Sequence, residues 1–193
     1  MMVKICGIAN REDALAAIAG GAAALGFNFY PASPRYITPA AAAAIVSGLP
    51  AAVWKVGVFV DEPAANIECI ARQVGLDVAQ LHGAETPAQY PRDIRVWKAI
   101  RVGYAFTIPE TLSAEAVLLD GPASGQVFDW ARVPRSGARL ILAGGLDAEN
   151  VRQAIAQVRP WGVDACSRLE SSPGRKDHVK MAAFLKAALA VPS

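Results

Sequence analysis

Residues 53–81 read VWKVGVFV, then DEPAANIECIARQVG, then LDVAQL. The runs Val53–Val60 and Asp77–Leu81 are β-rich and almost continuously apolar, which predicts parallel strands covered on both faces. Between them, Pro63–Val74 has the apolar periodicity of a helix, and Glu62-Pro63 places Pro at a plausible first helical position. The stretch therefore predicts a strand, a helix and a second parallel strand.

The same alternation continues along the chain. Further β-rich runs lie at Val3–Cys6, Ala24–Phe29, Arg95–Ile100, Ala116–Asp120, Arg139–Ala143 and Gly162–Ala165. Further helical stretches lie at Arg11–Ala19, Pro39–Ser47, Ala148–Val158 and Asp177–Ala190, with start signals at Asn10, Thr38-Pro39 and Asp147. Weaker patterns favour short helices at Glu85–Tyr90 and Pro109–Leu112 and one helical turn at Phe128–Ala131.

Eight strands that alternate with helices are compatible with a closed (β/α)8 barrel or with an open doubly wound sheet. The strand count and the absence of a Gly-x-Gly-x-x-Gly turn after the first strand favour the barrel. At 193 residues the chain is short for this architecture, so its helices and loops must be minimal. We therefore predict a compact α/β protein, one TIM-barrel domain over residues 1–193.

The composition excludes several classes of protein. Of the residues, 53% are hydrophobic, and 19 Lys and Arg against 17 Asp and Glu leave a net charge of +2. This composition is typical of a globular domain and offers no cationic excess for nucleic acid or an anionic membrane. Three cysteines, at positions 6, 69 and 166, fit neither a disulfide framework nor a zinc spacing. Without a recognisable signal peptide or membrane span, we expect a soluble protein in a reducing cytoplasm.

The predicted strand ends carry polar or reactive residues. In a barrel of this type the active site forms at the carboxyl ends of the strands. The groups at or just beyond those ends are Cys6, Arg35, Asp61, His82, Arg101, Asp120, Gly144-Gly145 and Asp164 to Ser167. A purely structural barrel does not require them, so the pattern favours an enzyme.

Gly144-Gly145 follows the seventh strand and lets backbone N–H groups approach an anion without a Cβ in the way. The loop 167–176 before the final helix can supply a helix N-terminus to the same anion. The glycine pair is also compatible with a simple tight turn. Together, however, the two loops resemble the phosphate site that many such barrels build after strands seven and eight.

Cys6 and Asp120 are the candidate groups for proton transfer. A thiol acts as a general base where its surroundings stabilise the thiolate, although a cysteine at a strand end is also commonly a small buried hydrophobe. A carboxyl that closes an apolar strand acts as a general acid if burial raises its pKa; otherwise it is a loop cap or the partner of an arginine. An acid and a base that address opposite sides of one substrate suit an isomerisation.

The remaining candidates have less specific roles. Arg35, in a Pro-braced loop, offers a bidentate fork for a carboxylate or is a solvated loop charge. His82 either contacts a ligand or stabilises the loop after the fourth strand. Asp164 either positions the residues that contact the ligand or hydrogen bonds to a sugar hydroxyl. We predict His178 at the surface and Cys69 packed within its helix. The sequence contains no metal-binding constellation.

Taken together, the motifs resemble those of the phosphoribosylanthranilate isomerase family. The matching segments run in family order from residue 4 to residue 177, which is nearly the whole chain. They are Lys4-Ile5-Cys6-Gly7, Gly26-Phe27-Asn28-Phe29, Ser33-Pro34-Arg35-Tyr36-Ile37, Gln80-Leu81-His82-Gly83, Leu119-Asp120 with Phe128-Asp129-Trp130, Ala143-Gly144-Gly145-Leu146, and Asp164 through Glu170 with Pro173-Gly174-Arg175-Lys176-Asp177.

The resemblance implies a cofactor-free barrel enzyme of tryptophan biosynthesis. Its reaction is the Amadori rearrangement of N-(5-phosphoribosyl)anthranilate to the 1-deoxyribulose 5-phosphate derivative. It implies that Asp120 is the general acid, Cys6 the general base and Arg35 the residue near the anthranilate carboxylate. The residues implied at the phosphate are Gly144, Gly145, Ser167 and Arg168.

The chain departs from the family pattern after the eighth strand and after Asp120. The family usually reads Ser-Ser-Gly-Val-Glu where this chain has Cys166-Ser167-Arg168-Leu169-Glu170. Arg168 in place of Gly is expected to clash or strain a positive φ, or to add its charge at the phosphate. The loop 121–125 is shorter and stiffer than usual, and the helix after the fifth strand is shortened. Activity is still expected, because the acid, the base and the carboxylate-binding Arg are present.

Two other functions remain open from the residues. A related phosphosugar isomerase, such as the histidine-pathway enzyme, uses paired aspartates with one at the end of the first strand, where this chain has Cys6. A non-catalytic phosphate-binding derivative would keep the anion loops without turnover. We expect a monomer that binds a small phosphosugar and no nucleic acid, membrane or cofactor.

Overall fold

In a computed structural model that describes residues 1–103, 107–108, 113–134 and 137–190, eight parallel strands close into a barrel. This confirms the predicted (β/α)8 architecture. The strands are β1 (Met2–Ile5), β2 (Ala24–Asn28), β3 (Trp54–Phe59), β4 (Val78–Leu81), β5 (Arg95–Arg101), β6 (Ala116–Asp120), β7 (Leu140–Leu142) and β8 (Gly162–Ala165). A two-stranded antiparallel hairpin of β9 (Glu170–Ser172) and β10 (Arg175–Lys176) follows.

The barrel closes where the first strand meets the last. β1 pairs with β2 on one side and with β8 on the other. In the β1–β8 register Lys4 lies opposite Asp164 and Ile5 opposite Ala165. Residues that are 160 positions apart in the chain therefore become neighbours at the seam.

Apolar side chains cover both faces of the strands, as the uninterrupted apolar runs predict. Between the strands and the helices lies the larger cluster, which includes Phe27, Phe59 and Phe184. Inside the barrel a second cluster surrounds Trp97, whose ring lies 5.6 Å from that of Trp54 and 5.9 Å from that of Trp161. Trp54 and Trp161 lie at the amino-terminal ends of their strands, so these rings fill that end of the barrel.

The α-helices among the described residues are α1 (Arg11–Ala19), α2 (Pro39–Val46), α3 (Ala64–Val74), α4 (Val151–Val158) and α5 (His178–Leu189). Asn10 caps α1 as predicted, because its side-chain oxygen accepts from Asp13 N. Pro39 is the first residue of α2, also as predicted, and the Thr38 side chain caps this helix by accepting from Ala41 N. Pro63 is the residue before α3 rather than its first. In the described part of the chain, none of the helices has the length and apolar character needed to cross a bilayer.

Two further expectations about the helices need correction. Cys69 is exposed on α3 rather than packed, because Ile67, Ala71 and Val74 form the buried face of that helix. α4 begins at Val151 instead of residue 148, since the carboxylate of Asp147 binds the N–H groups of residues 149 and 150 in a turn ahead of the helix.

Short 3-10 helices replace two of the predicted short segments. Pro87–Gln89 forms one within the predicted 85–90 helix, and Trp130–Arg132 forms another close to the predicted turn. The predicted short helix Pro109–Leu112 lies outside the described residues. Minimal connections of this kind are how 193 residues complete a barrel.

A buried ion pair fixes the loops that follow β3 and β4. Lys98 Nζ lies 2.8 Å from Glu85 Oε2 and also donates to the carbonyl oxygens of Leu81 and Gly83. Glu85 Oε1 in turn accepts from the backbone N–H of Asp61 at 2.8 Å. Burial raises the pKa of Glu85, but the hydrogen bonds from Lys98 and Asp61 outweigh it and hold the pKa below its usual 4.5.

The substitution Glu85→Gln is expected to lower the free energy of unfolding by about 3–5 kcal/mol, because Lys98 stays buried without its counter-charge. The matched control is Glu115→Gln, whose partners Arg95 and Arg139 are more than half exposed. We expect that change to cost no more than about 1 kcal/mol. Urea denaturation of the three proteins measures both values.

The same comparison has a defined pH dependence. A carboxylate whose pKa is lowered by folding stabilises the protein above its unfolded pKa and loses that contribution as the pH falls through the folded pKa. The difference between the parent and Glu85→Gln should therefore shrink in acid. Equal losses for the Glu85 and Glu115 variants at neutral pH would contradict this view of the network.

Candidate active site

A cavity of about 620 Å3 opens at the carboxyl ends of the strands. It is the mouth opposite the tryptophan-filled end, where active sites of such barrels lie. The nine residues to which the sequence assigned catalytic, binding or supporting roles all line it: Cys6, Arg35, His82, Asp120, Gly144, Gly145, Asp164, Ser167 and Arg168. Closure of the barrel thus brings together groups from both ends of the chain.

Cys6 follows β1 directly, and its thiol lies half-buried in the wall of this cavity. The hydrogen bond between the thiols of Cys6 and Cys166 has the largest effect on Cys6 and lowers its pKa. Burial acts in the opposite direction, but the neighbouring ammonium of Lys4 lowers the pKa further. The pKa of Cys6 therefore lies well below its usual 9.0, which favours the thiolate.

Lys4 and Asp164 form a buried ion pair beneath Cys6. Lys4 Nζ lies 3.0 Å from Asp164 Oδ1, and the lysine is fully buried. Burial lowers the pKa of Lys4, but the negative charges of Asp164 and Cys6 outweigh it and raise that pKa above 10.5. Burial raises the pKa of Asp164 to about 7, even though the ammonium of Lys4 pulls it down. Lys4 is therefore a permanent positive charge under the thiol.

Asp120 ends β6 and also faces the cavity. Burial raises the pKa of Asp120, and this effect exceeds the lowering by the Gly121 N–H, which donates to Oδ1 at 2.9 Å, and by the charge of Arg101. Its carboxyl group is therefore more readily protonated than an exposed aspartic acid. A protonated carboxyl and a thiolate in one cavity form an acid–base pair.

Arg35 lines the cavity, but its guanidinium is already bound to another side chain. Nε and Nη2 bind the carboxylate of Glu170 at 2.7 to 3.0 Å, and Lys176 Nζ binds the same carboxylate at 3.0 Å. Among the described residues, Nη1 of Arg35 has no hydrogen-bond partner. The hydrogen bonds to Glu170 raise the pKa of Arg35, whose charge is therefore permanent. The arginine is oriented by Glu170 rather than solvated.

The Gly144-Gly145 turn is packed against the loop that follows Asp120. Gly144 and Gly145 have φ of 82° and 65°, and Gly144 abuts the backbone of Gly121. Neither glycine N–H donates a hydrogen bond to any described residue. Two unused N–H groups beside the cavity form a concave donor surface of the kind that binds anions.

Ser167 and Arg168 approach this surface from the loop after β8. They belong to a 3-10 helix, Ser167–Leu169, so Arg168 has an ordinary negative φ and the expected strain is absent. Its guanidinium donates to Asp147 at 2.7 Å and to the carbonyl of Gly125 at 3.1 Å. Arg168 therefore ties together the loops after β6, β7 and β8.

The helix N-terminus in the loop 167–176 is that of the 3-10 helix Ser167–Leu169, whose Ser167 and Arg168 line the cavity, and not that of α5. The chain between residues 170 and 176 forms the β9–β10 hairpin, and α5 begins only at His178 with Asp177 as its N-cap. The first turn of α5 is not part of the cavity wall. His178 lies at the surface, as predicted, where its Nε2 binds Asp13 at 2.8 Å.

His82 lies against Gln80 on the cavity wall. Burial lowers the pKa of His82 to about 4, so the ring is neutral near pH 7. Its Nε2 hydrogen bonds with the side-chain amide of Gln80, whose Oε1 is buried without a partner among the described residues. The pair can therefore present hydrogen-bonding groups, but no charge, to a ligand.

Sequence reasoning assigned no role to four polar residues that surround the candidates: Lys4, Cys166, Glu170 and Lys176. Lys4 and Asp164 interrupt otherwise apolar first and last strands with opposite charges, and that complementarity is a usable signal. Glu170 and Lys176 lie in a loop, and nothing local indicates that they meet Arg35. In the described part of the chain, no three His, Cys, Asp or Glu side chains are grouped as metal ligands would be.

The whole chain has close relatives among known proteins. A family model described as N-(5'phosphoribosyl)anthranilate (PRA) isomerase matches residues 3–187. An N-(5'-phosphoribosyl)anthranilate isomerase of Solibacter usitatus is 53% identical over 198 residues, which cover 98% of each chain.

Solved structures agree with the sequence comparison. A phosphoribosyl anthranilate isomerase from Thermus thermophilus has a TM-score of 0.92 at 40% identity, covering 98% of this chain and 99% of that one. Another, in complex with reduced 1-(o-carboxyphenylamino)-1-deoxyribulose 5-phosphate, has a TM-score of 0.87 at 40% identity, covering 99% and 100%. Monomers generated from a dimeric Thermotoga maritima enzyme reach 0.85 at 39% identity, with the same coverage.

The substitution Gly144→Ala is expected to destabilise the protein, because its φ of 82° is strained for alanine and the new Cβ would collide with the backbone of Gly121. The expected loss is about 1–3 kcal/mol in urea denaturation. Gly103→Ala is the control, since Gly103 has no positive φ and a Cβ added there would meet no atom within 4 Å. Equal effects of the two substitutions would contradict the close packing of the glycine turn.

Proposed function

The chain belongs to the N-(5'-phosphoribosyl)anthranilate isomerase family, and on that premise we propose that Cys6 and Asp120 carry out its Amadori rearrangement. The family reaction, a step of tryptophan biosynthesis, converts N-(5'-phosphoribosyl)anthranilate to 1-(2-carboxyphenylamino)-1-deoxyribulose 5-phosphate. The observation that carries the assignment is that an acid with a raised pKa and a thiol with a lowered pKa line one cavity.

Asp120 opens the ribose ring in this proposal. Its protonated carboxyl gives its proton to the ring oxygen, the C1–O bond breaks, and the anthranilate nitrogen forms a Schiff base with C1. A general acid must hold its proton near the working pH, and burial of Asp120 favours this. The hydrogen bond from the Gly121 N–H fixes the orientation of the carboxyl group.

Cys6 then removes the proton from C2. The electron pair of the C2–H bond moves toward the Schiff base, which gives an enolamine that tautomerises to the ketone. The ammonium of Lys4 stabilises the thiolate before this step, and Asp164 holds Lys4 in place. The rearrangement is an internal oxidation of C2 and reduction of C1, so the scheme needs no cofactor.

Both ends of the substrate are anionic, and each is held by cationic or hydrogen-bond-donating groups of the protein. We assign the anthranilate carboxylate to Arg35, whose Nη1 is unpaired among the described residues while Glu170 fixes the rest of its fork. The phosphate is assigned to the N–H groups of Gly144 and Gly145 together with Ser167 and Arg168. The neutral side chain of His82 is placed at the sugar, where it accepts or donates a hydrogen bond.

We further propose that residues 1–193 act as one unit and as a monomer in the cytoplasm. Support comes from the cavity, because every residue assigned to catalysis or binding is supplied by the same chain. The ligand class is a phosphosugar, as in the solved relative with the reduced product analogue.

The substitutions Cys6→Ala and Asp120→Ala are each expected to lower kcat by roughly 10^2 to 10^4, the usual contribution of a general base or acid. The loss of anthranilate fluorescence measures turnover of phosphoribosylanthranilate. Cys69→Ala is the matched control, because this cysteine is exposed on α3 outside the cavity, and it should keep full activity. Turnover that survives both cavity substitutions would overturn the assigned roles.

The substitution Arg168→Met is expected to raise KM, and the inhibition constant of inorganic phosphate, by about tenfold, with a smaller change in kcat. The reason is the loss of a positive charge next to the proposed phosphate site. Arg152→Met removes an equal charge from the exposed side of α4 and should change neither constant. A fall in kcat without any change in KM would show that Arg168 does not bind the phosphate.

A further inference from the structure

A second thiol, that of Cys166, lies beside Cys6 and transfers no proton in the proposed isomerisation. Cys6 follows Ile5 of β1, and Cys166 follows Ala165 of β8, its partner in the strand register. The backbone N–H of Cys6 donates to the carbonyl of Ala165 at 3.0 Å. Both thiols are half-buried and line the same cavity, so a small solute can reach them.

The backbone spacing at this point suits a disulfide. Neighbouring strands lie about 4.8 Å apart, and disulfides form across Cα separations of roughly 4.4–6.8 Å. The two thiols are also close enough for each to shift the pKa of the other. The absence of a side chain at Gly7 leaves space for the Cys166 sulfur, because a Cβ on Gly7 would lie 2.9 Å from Cys166 Sγ.

The charges around the pair favour attack by Cys6. Lys4 lies beneath its sulfur, and the charges of Lys4 and Lys176 both lower the pKa of Cys6. Lys176 Nζ also lies 3.7 Å from Cys166 Sγ, where it lowers the pKa of Cys166, but other effects outweigh it. The hydrogen bond to Cys6 and then burial raise the pKa of Cys166, and its Sγ lies 3.8 Å from the Glu170 carboxylate. The lowered pKa of Cys6 therefore favours its thiolate, the nucleophilic form, while the raised pKa of Cys166 favours its thiol.

We propose that Cys6 and Cys166 form a peroxide-reactive dithiol, in which hydrogen peroxide converts the pair into a disulfide across the β1–β8 seam. The Cys6 thiolate attacks one peroxide oxygen: an S–O bond forms, the O–O bond breaks and hydroxide leaves. The sulfur of Cys166 then attacks the sulfenic acid at Cys6. An S–S bond forms, the S–O bond breaks, and the Cys166 proton leaves with the oxygen as water. One thiolate and one thiol are thus oxidised to a disulfide, and one peroxide is reduced to one hydroxide, which takes a proton from solvent, and one water.

The test is treatment of the reduced protein with hydrogen peroxide, followed by alkylation and peptide mass mapping. We expect a peptide linked through Cys6 and Cys166 and lacking two hydrogen atoms, with Cys69 still alkylated. Turnover should fall by about a hundredfold or more and return with dithiothreitol. Cys69→Ser is the control and should respond as the parent protein does.

The variant Cys166→Ser removes the resolving thiol. In this variant peroxide should carry Cys6 on to the sulfinic acid, and dithiothreitol should no longer restore turnover, measured against the same variant untreated. In the parent protein, oxygen added to Cys6 without any linked peptide, or linkage through Cys69, would overturn the proposal. The loss of turnover rests on the proposed role of Cys6. A linked peptide with full activity would therefore support the dithiol and contradict the assignment of Cys6 as the base.

Discussion

The ion pair between Lys4 and Asp164 is the interaction on which the rest of the site depends. It lies at the β1–β8 seam, where the first and last strands close the barrel, and it joins side chains that are both buried. A buried ammonium without a negative partner would be strongly destabilising, so the pair is present only if the strands meet in this register. The same register places Cys6 and Cys166 side by side at the mouth.

This positive charge contributes to the protonation of the cavity. The hydrogen bond with Cys166 and the ammonium of Lys4 lower the pKa of Cys6 and favour its thiolate, while burial raises the pKa of Asp120 and favours its protonated form. The pKa values of the acid and the base are therefore shifted in opposite directions from those of exposed groups. Around them, Glu170 orients Arg35, and the glycine turn has two N–H groups that no described residue binds, so the cavity offers cationic or donor groups at both ends.

Much of the fold could be read from the sequence because strands and helices have local signatures. The apolar runs, the caps at Asn10 and Thr38 and the reactive residues at strand ends all act within a few positions of one another. The helical pattern did not predict which face of α3 carries Cys69, since a cysteine is apolar enough for the buried or the exposed face. The β9–β10 hairpin forms where the sequence indicated only a loop, and Glu170 binds Arg35 from 135 positions away, a contact that no local pattern indicates. Family membership, rather than the residues alone, separates this isomerase from the related phosphosugar isomerases.

The most direct test of the account is a carbon-13 NMR titration of the Asp120 carboxyl, assigned by its loss in Asp120→Asn, in the parent protein and in Cys6→Ser. Burial raises the pKa of Asp120, and the negative charge of the Cys6 thiolate raises it further. The account predicts a pKa above 3.8 in the parent and a smaller elevation in Cys6→Ser, because serine is neutral. An ordinary pKa in the parent, or the same pKa in both proteins, would show that the thiolate and the carboxyl do not share one cavity.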